Sequence, residues 1–375
     1  MVYPDFKADN RFAPFSLYFF TRPFSLLELT TIFPNWYDDS SEFQKCASLC
    51  HINFSKVFPS GGIGVSLPNQ AKVVTLPSIN PKVDRVFAFT SLETKSESWV
   101  NVVLESGSEP DSGRTLRIFG VIRDILKCKK QIDYVLFPEL SIPRKLISYI
   151  VAMLSAKNIS LVAGIEYEFL HKPNDQVFGR DIKRMVSNQI LFVLAIPGIG
   201  SAGQVALWQE KIIPALKEER DLFDIGGLVL KAKNQDKLLI NHGGLFFGGL
   251  ICNDFLSIDN RAMFKGSVDA LIVIEWNKDV DTYNALVESS ANDLHTCILQ
   301  VNNRMYGDTR LRVPYKDSYK RDQVRVRGGE LDYFVVATLP VTELRVFQRH
   351  HRSPDGPFKP VPTGFLMSEA RKANG

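Results

Sequence analysis

Apolar positions along this 375-residue chain switch repeatedly between strand-like runs and helical spacing. The run Val86-Phe87-Ala88-Phe89 predicts a first strand. From Gly113 to Lys129, the apolar residues Leu116, Phe119, Val121, Ile122, Ile125 and Leu126 recur at the spacing of one helical face. A buried strand is expected over 133–137. It ends at Pro138 and sets a carboxylate, Glu139, at its C-terminal tip. A helix over 144–157 and a strand over 159–165 follow. Strand, helix, strand, helix, strand is the order of an α/β layer fold.

The pattern continues with a polar loop from His171 to Arg180 and a strand over 189–196. An apolar segment from Ala206 then leads to Lys211. Small and apolar residues run from Gly243 into Cys252, which is followed by polar residues. Further on, a short helix is expected over 260–265 and a strand over 268–274, ending at Glu275-Trp276-Asn277. A helix over 283–293, a strand over 297–301 that places Cys297 in the core, and a last strand over 331–337 complete the series. The stretch Trp99–Leu104 reads either as a strand or as the lead into a loop.

Two regions break the pattern. Residues 1–83 are rich in Phe and Pro, and turn signals recur in them. They read as an irregular module or an extended arm packed on something larger. The tail after Arg345 carries Arg349-His350-His351-Arg352 and several prolines, and reads as extended or partly disordered. The expected division is 1–83 as an aromatic-rich extension, 84–345 as the main domain and 346–375 as a tail.

Composition changes this picture little. With 45% hydrophobic and 23% charged residues the chain resembles an ordinary globular protein. A net charge of +4 is too weak to argue for nucleic acid. The basic stretch 304–327, with interspersed Asp, reads as a solvated face. No apolar run is long enough to span a bilayer. The five cysteines are scattered and odd in number, which suits free thiols in a reducing, cytoplasmic setting. Cys46, Cys50 and His51 fit no standard zinc spacing. Gly61-Gly62-Ile63-Gly64 lacks the context of a phosphate loop. Tyr37-Asp38-Asp39 reads as a solvated turn.

The candidate chemistry lies at strand ends. A thiol becomes a nucleophile only when a base takes its proton, and the reaction it starts needs positive charge or N–H donors for the oxyanion. Cys252 supplies the thiol, Glu139 a carboxylate, and Lys211 a cation with its stem among apolar residues. In a layered fold, strand ends on one side converge. No histidine lies in these motifs, which argues against a Cys-His pair.

These residues carry a resemblance. Val135-Leu136-Phe137-Pro138-Glu139, Lys211-Ile212-Ile213-Pro214 and Gly248-Gly249-Leu250-Ile251-Cys252-Asn253-Asp254 resemble, in order and spacing, the three motifs of the nitrilase superfamily, the carbon–nitrogen hydrolases. The resemblance spans about Val83 to Leu344. It implies a four-layer α-β-β-α sandwich and a Glu139-Lys211-Cys252 triad, without metal or cofactor. Lys211 and the backbone N–H of Asn253 would hold the oxyanion, and Asp254 would be structural. The run after Lys211 resembles the amidase branch, which would make Glu219 a second glutamate beside the lysine, with Glu218 as the alternative. The implied reaction is hydrolysis of a small amide or nitrile through a Cys thioester, with homodimers or larger assemblies common. The sequence departs from the family pattern after Cys252, where Leu256-Ser257-Ile258-Asp259 replaces Pro-Glu. Nitrilase-like domains also occur fused to bacterial antiviral reverse transcriptases. A binding or assembly role in such a larger defence protein is the alternative to catalysis.

Overall fold

Alternation of side chains decides how the layers form. In the strand Tyr134–Ile142, Leu136 packs between two sheets, while Val135 and Phe137 face a helical layer with Ile118, Ile122, Ile150 and Leu154. Along Arg184–Pro197, Ile190, Phe192 and Leu194 point inward, and Leu191 and Val193 outward. A strand that is apolar on both faces can rest only inside a layered structure. The computed structural model of the chain describes residues 24–38, 40–52, 71–105, 109–170, 184–197, 202–350 and 356–373.

The strands are β1 (Lys72–Leu76), β2 (Val86–Ser91), β3 (Tyr134–Ile142), β4 (Ser160–Leu170), β5 (Arg184–Pro197), β6 (Ala202–Glu210) and β7 (Leu228–Leu230). They continue with β8 (Leu238–His242), β9 (Leu245–Ile251), β10 (Ala270–Glu275), β11 (Cys297–Asn302), β12 (Thr309–Arg312), β13 (Asp322–Val326) and β14 (Tyr333–Thr338). One sheet has the order β1-β8-β9-β10-β11-β12-β13, and the other β14-β2-β3-β4-β5-β6, with β7 beside β5. In the first, β9, β10 and β11 are parallel. In the second, β2, β3 and β4 are parallel. The sheets face each other, with β3 against β10 and β11. Helices Arg114–Lys127 and Ile147–Ser155 cover the second sheet. Helices Val280–Asp293 and Val341–Arg349 cover the first. This is the α-β-β-α sandwich.

Several elements differ from the sequence expectation. Trp99–Leu104 belongs to a helix, Ser96–Val103, rather than a strand. Trp99 and Val103 lie one helical turn apart, and both pack into a small cluster with Leu140, Tyr167 and Leu222. β3 does not stop at Pro138. Its pairing with β4 breaks between Phe137 and Ile142, and Leu140 takes a φ of 53°, so the strand bulges through Glu139 instead of ending there.

The division at residue 83 also shifts. β1, inside the expected extension, is an edge strand of the first sheet, in register with β8. Helix Leu26–Ile32 packs on the edge strand β6, and helix Ser40–Leu49 packs on that helix. Trp36 Nε1 donates to the Ala206 carbonyl at 3.1 Å, and the Ala206 N–H donates to Thr30 Oγ1 at 2.9 Å. Covering an edge in this way removes a template for aggregation. Tyr37 is buried in the same contact rather than lying in a solvated turn. The Gly61–Gly64 motif, the expected loop 171–180 and the aromatic residues at 12–20, 54 and 58 lie outside the described residues.

The extended tail expected after Arg345 is not what forms in the described part. Arg371, on the helix Glu369–Ala373, is fully buried and donates to Asp269 at 2.7 and 3.0 Å. Arg345 Nε donates to the same carboxylate at 2.7 Å. A buried Asp needs such partners, and here they come from residues distant in sequence. The basic stretch 304–327 is likewise not a plain solvated face. Arg304, Arg310 and Arg312 are buried, and they pair with Asp332, Asp322 and Glu288.

Candidate functional site

The C-terminal ends of β3, β6, β9 and β10 meet at one end of the sandwich. The bulge in β3 turns the Glu139 side chain into the gap between the sheets. Gly164 on β4 makes room for it: a Cβ there would lie 2.4 Å from the Glu139 Cα and 2.5 Å from the Pro138 carbonyl oxygen. β9 delivers Cys252 into a short 3₁₀ turn, Cys252–Phe255. Cys252 takes a φ of 43°, a strained value for a residue with a Cβ. Strain of this kind at the tip of a buried strand presents a side chain in one fixed direction.

Lys211 stands at the centre. Its Nζ donates to Glu139 Oε1 at 2.8 Å and to Glu218 Oε2 at 2.5 Å. Asn188 Nδ2 joins the same two carboxylates, at 2.8 Å to Glu139 Oε1 and 3.1 Å to Glu218 Oε1. The Trp276 N–H donates to Glu139 Oε2 at 2.9 Å. Tyr167 Oη donates to Glu218 Oε1 at 2.9 Å, and Trp99 Nε1 in turn donates to Tyr167 Oη at 3.2 Å. Every carboxylate oxygen around the lysine therefore has a donor. This is the condition under which buried charge is tolerated.

The structure brings together Glu139, Lys211 and Cys252, and replaces Glu219 by Glu218. Glu219 is exposed, whereas Glu218 is on Lys211. The reason is helical geometry. Helix Leu216–Gly226 begins just after the lysine, and neighbouring residues on it point about 100° apart. Glu218 also reaches back to the Ala215 N–H at 3.3 Å, across the helix start.

Electrostatics pull these groups in different directions. Burial raises the pKa of Glu139, and Glu218 adds to the rise although Lys211 opposes it. Burial works against the charge of Glu218 too, but Lys211 prevails and lowers it. Burial would lower Lys211; the two glutamates outweigh it and hold the ammonium well above its usual range. Burial and then the Glu139 charge push the Cys252 thiol well up. The resting site thus favours a thiol over a free thiolate, beside a carboxyl tuned toward neutrality.

Asn253 Nδ2 donates to the Pro214 carbonyl at 3.0 Å, which ties the residue after the thiol to the lysine segment. Asp254 makes the second tie. Its Oδ1 accepts the N–H groups of Ile212 at 3.1 Å and Ile213 at 2.8 Å, and its Oδ2 takes Lys237 Nζ at 2.5 Å.

Glu275 is a further acid beside the thiol. Ile274 pairs with Ile251 in parallel register, so Glu275 and Cys252 follow on adjacent strand ends. Glu275 is fully buried; Gln300 Nε2 donates to its Oε2 at 3.0 Å, while its Oε1 has no partner among the described residues. Burial pushes its pKa up to about 8. Tyr283 Oη lies 3.7 Å from Cys252 Sγ.

Sequence reasoning missed Asn188, Tyr167, Glu275 and Tyr283 as members of this site. For Asn188 a signal exists: Ser187, Asn188 and Gln189 are three consecutive polar residues between the apolar Met185-Val186 and Ile190–Ile196 of one strand, and all three are buried. Among the described residues, no group of three or more His, Cys, Asp or Glu side chains is arranged to hold a metal ion.

No protein-family model and no curated protein matches this sequence. Solved structures do match. Nit3 of Saccharomyces cerevisiae, a member of branch 10 of the nitrilase superfamily, aligns with a TM-score of 0.50 at 13% identity, covering 74% of this chain and 98% of that one. An amidase from Nesterenkonia sp. aligns at 0.46 and 12%, covering 72% and 97%. XC1258 of Xanthomonas campestris, a CN-hydrolase superfamily protein, aligns at 0.45 and 13%, covering 71% and 94%. At such identities the likeness concerns the fold.

Proposed function

We propose that this chain, whose fold is that of the nitrilase superfamily, is a thiol-dependent hydrolase of a small, non-peptide carbon–nitrogen bond, with an amide as substrate. The observation that carries the reading is Lys211 Nζ bridging Glu139 and Glu218 at 2.8 and 2.5 Å, in a buried site shared with Cys252.

Cys252 Sγ attacks the amide carbonyl carbon while its proton passes to Glu139. Negative charge gathers on the carbonyl oxygen, where the Lys211 ammonium and the Asn253 backbone N–H stabilise it. The oxyanion collapses, the C–N bond breaks, and Glu139 returns its proton to the departing nitrogen. A thioester to Cys252 remains. Glu139 then takes a proton from water as that water attacks the thioester. The C–S bond breaks, the sulfur regains a proton, and a carboxylic acid leaves.

Glu218 keeps the Lys211 ammonium charged and aimed, and is a positioning residue. Cys252 is only 6% exposed, which favours a small acyl group over a polymer. The test is ammonia or amine release from a panel of small aliphatic amides, with intact-mass detection of an acyl adduct. Release that disappears in Cys252→Ala, with an adduct mapping to Cys252, supports the reading. Equal release by Cys252→Ala sinks it. A protein inactive on every amide but fully active in its biological setting as Cys252→Ala would favour the binding or assembly role.

A further inference from the structure

The end of the sandwich opposite Cys252 holds a second built site. Arg85 lies just before β2, at the N-terminal ends of the parallel strands β2, β3 and β4. It is 1% exposed, and none of its guanidinium nitrogens, Nε, Nη1 or Nη2, has a hydrogen-bond partner among the described residues. Other buried arginines here, Arg345 and Arg371, have Asp269. A guanidinium cannot shed its charge by deprotonation, so burying its five N–H donors without hydrogen-bond partners is costly.

The polar groups around Arg85 hydrogen-bond elsewhere, and among the described residues none accepts from its guanidinium. Asp133 is the nearby carboxylate, but its two oxygens accept Asn80 Nδ2 at 2.7 Å and the Val86 N–H at 2.8 Å. The Tyr134 hydroxyl is engaged with His242 Nδ1 at 2.5 Å, and His242 Nε2 with the Ala195 carbonyl at 2.9 Å. A carbonyl only accepts, so Nε2 carries the proton and Nδ1 accepts from Tyr134. The imidazole is neutral, its pKa pushed down to about 4 by burial and by Arg85.

These residues line a cleft of ≈ 40 Å³, with Ser78, Asn158 and Ser160 among its other walls. That is more than about one water needs and far less than a nucleotide. Gly243, at φ +59°, packs closely behind this wall: a Cβ there would lie 2.3 Å from the Ser78 Cβ and 3.2 Å from Arg85 Nη2.

We propose that this cleft binds a small carboxylate anion, with the planar fork of the Arg85 guanidinium as its anchor. Two parallel N–H donors match two carboxylate oxygens. A carboxylate side chain, Asp133, shares the cleft, and a singly charged planar anion suits such a space better than a tetrahedral, doubly charged phosphate. The proposal stands apart from the hydrolase reading, because the cleft and Cys252 lie at opposite ends of the strands.

The experiment is thermal unfolding of the full chain against increasing acetate, at constant ionic strength held with chloride, with phosphate as a parallel series. Saturation-transfer NMR on the acetate methyl group reports contact directly. Expected are a saturable rise in Tm with acetate, a transfer signal, and loss of both in Arg85→Met. Arg85→Lys keeps the charge but not the fork, and its acetate affinity falls about tenfold or more. No saturable response of the unaltered protein overturns the proposal, whatever the variants do. So does an equal response in Arg85→Lys, or a response to phosphate as strong as that to acetate; either would mean an adventitious ion only.

Discussion

Two residues after the candidate nucleophile, Asp254 takes the ammonium of Lys237 at 2.5 Å, and both side chains are buried. The same carboxylate accepts the N–H groups of Ile212 and Ile213, directly after Lys211. Asp254 therefore joins the thiol turn to the lysine segment through one side chain. Asp254→Ala would strand a buried ammonium and two backbone donors. We expect a loss of about 3–5 kcal/mol in stability, measured by urea unfolding. Lys237→Met removes the stranded charge as well, and the double variant Asp254→Ala/Lys237→Met should recover part of that loss. A loss below about 1 kcal/mol in Asp254→Ala would show that the tie is dispensable.

The placement of Glu218 and Glu219 gives a prediction that separates adjacent residues. Glu218→Gln weakens the grip on Lys211, and hydrolysis should slow by about 10–100-fold, mainly in kcat. Glu219→Gln, on the solvent side, should leave kcat and KM unchanged. Steady-state kinetics on the best amide from the panel decide it. Equal effects of the two changes would remove the role assigned to Glu218.

Glu275 predicts a pH dependence of stability. Its folded pKa, about 8, lies above the usual carboxylate value of 4.5. The folded state therefore holds more protons than the unfolded state between those values. Stability from this group is complete below about pH 4.5 and falls as pH rises through 8, by at most about 1.4 kcal/mol per pH unit. Glu275→Gln cannot lose this proton. The Tm of the variant relative to the unaltered protein should climb steadily from pH 5 to pH 8. A flat difference would mean that Glu275 is ionised and solvated.

The φ of 43° at Cys252 has a cost that glycine avoids. Cys252→Gly should match or exceed Cys252→Ala in stability, by roughly 1 kcal/mol, although both abolish the thiol. Paired denaturation curves test this. An alanine variant more stable by that amount would show that the backbone relaxes once the sulfur is gone.

The sheets and their helices were legible in the sequence because Leu136, Phe192 and their neighbours are apolar at every other position or throughout. The meeting of Glu139, Lys211 and Cys252 was legible because an apolar run leads into each of them in the sequence. Other parts were not. Glu219 and Glu218 are adjacent acids in a charged run, and only the phase of the helix start distinguishes them. The helix at Trp99 is too short for its spacing to outweigh the β-branched residues Val100, Val102 and Val103. Glu275 looks like a polar strand end until Gln300 and Cys252 are seen beside it. The arginines of 304–327 look solvated because their acids, Asp332 and Glu288, belong to other elements.

The ion cluster on Asp269 has a consequence for how the chain is made. Asp269 enters the core sheet 102 residues before Arg371, which completes its pairing. On a ribosome the sheet can collapse around that carboxylate while one of its two cations has yet to be synthesised. The nascent domain should therefore remain loose and dependent on chaperones until the segment carrying Arg371 clears the exit tunnel, and a chain stalled before that point should be the species most exposed to proteolysis.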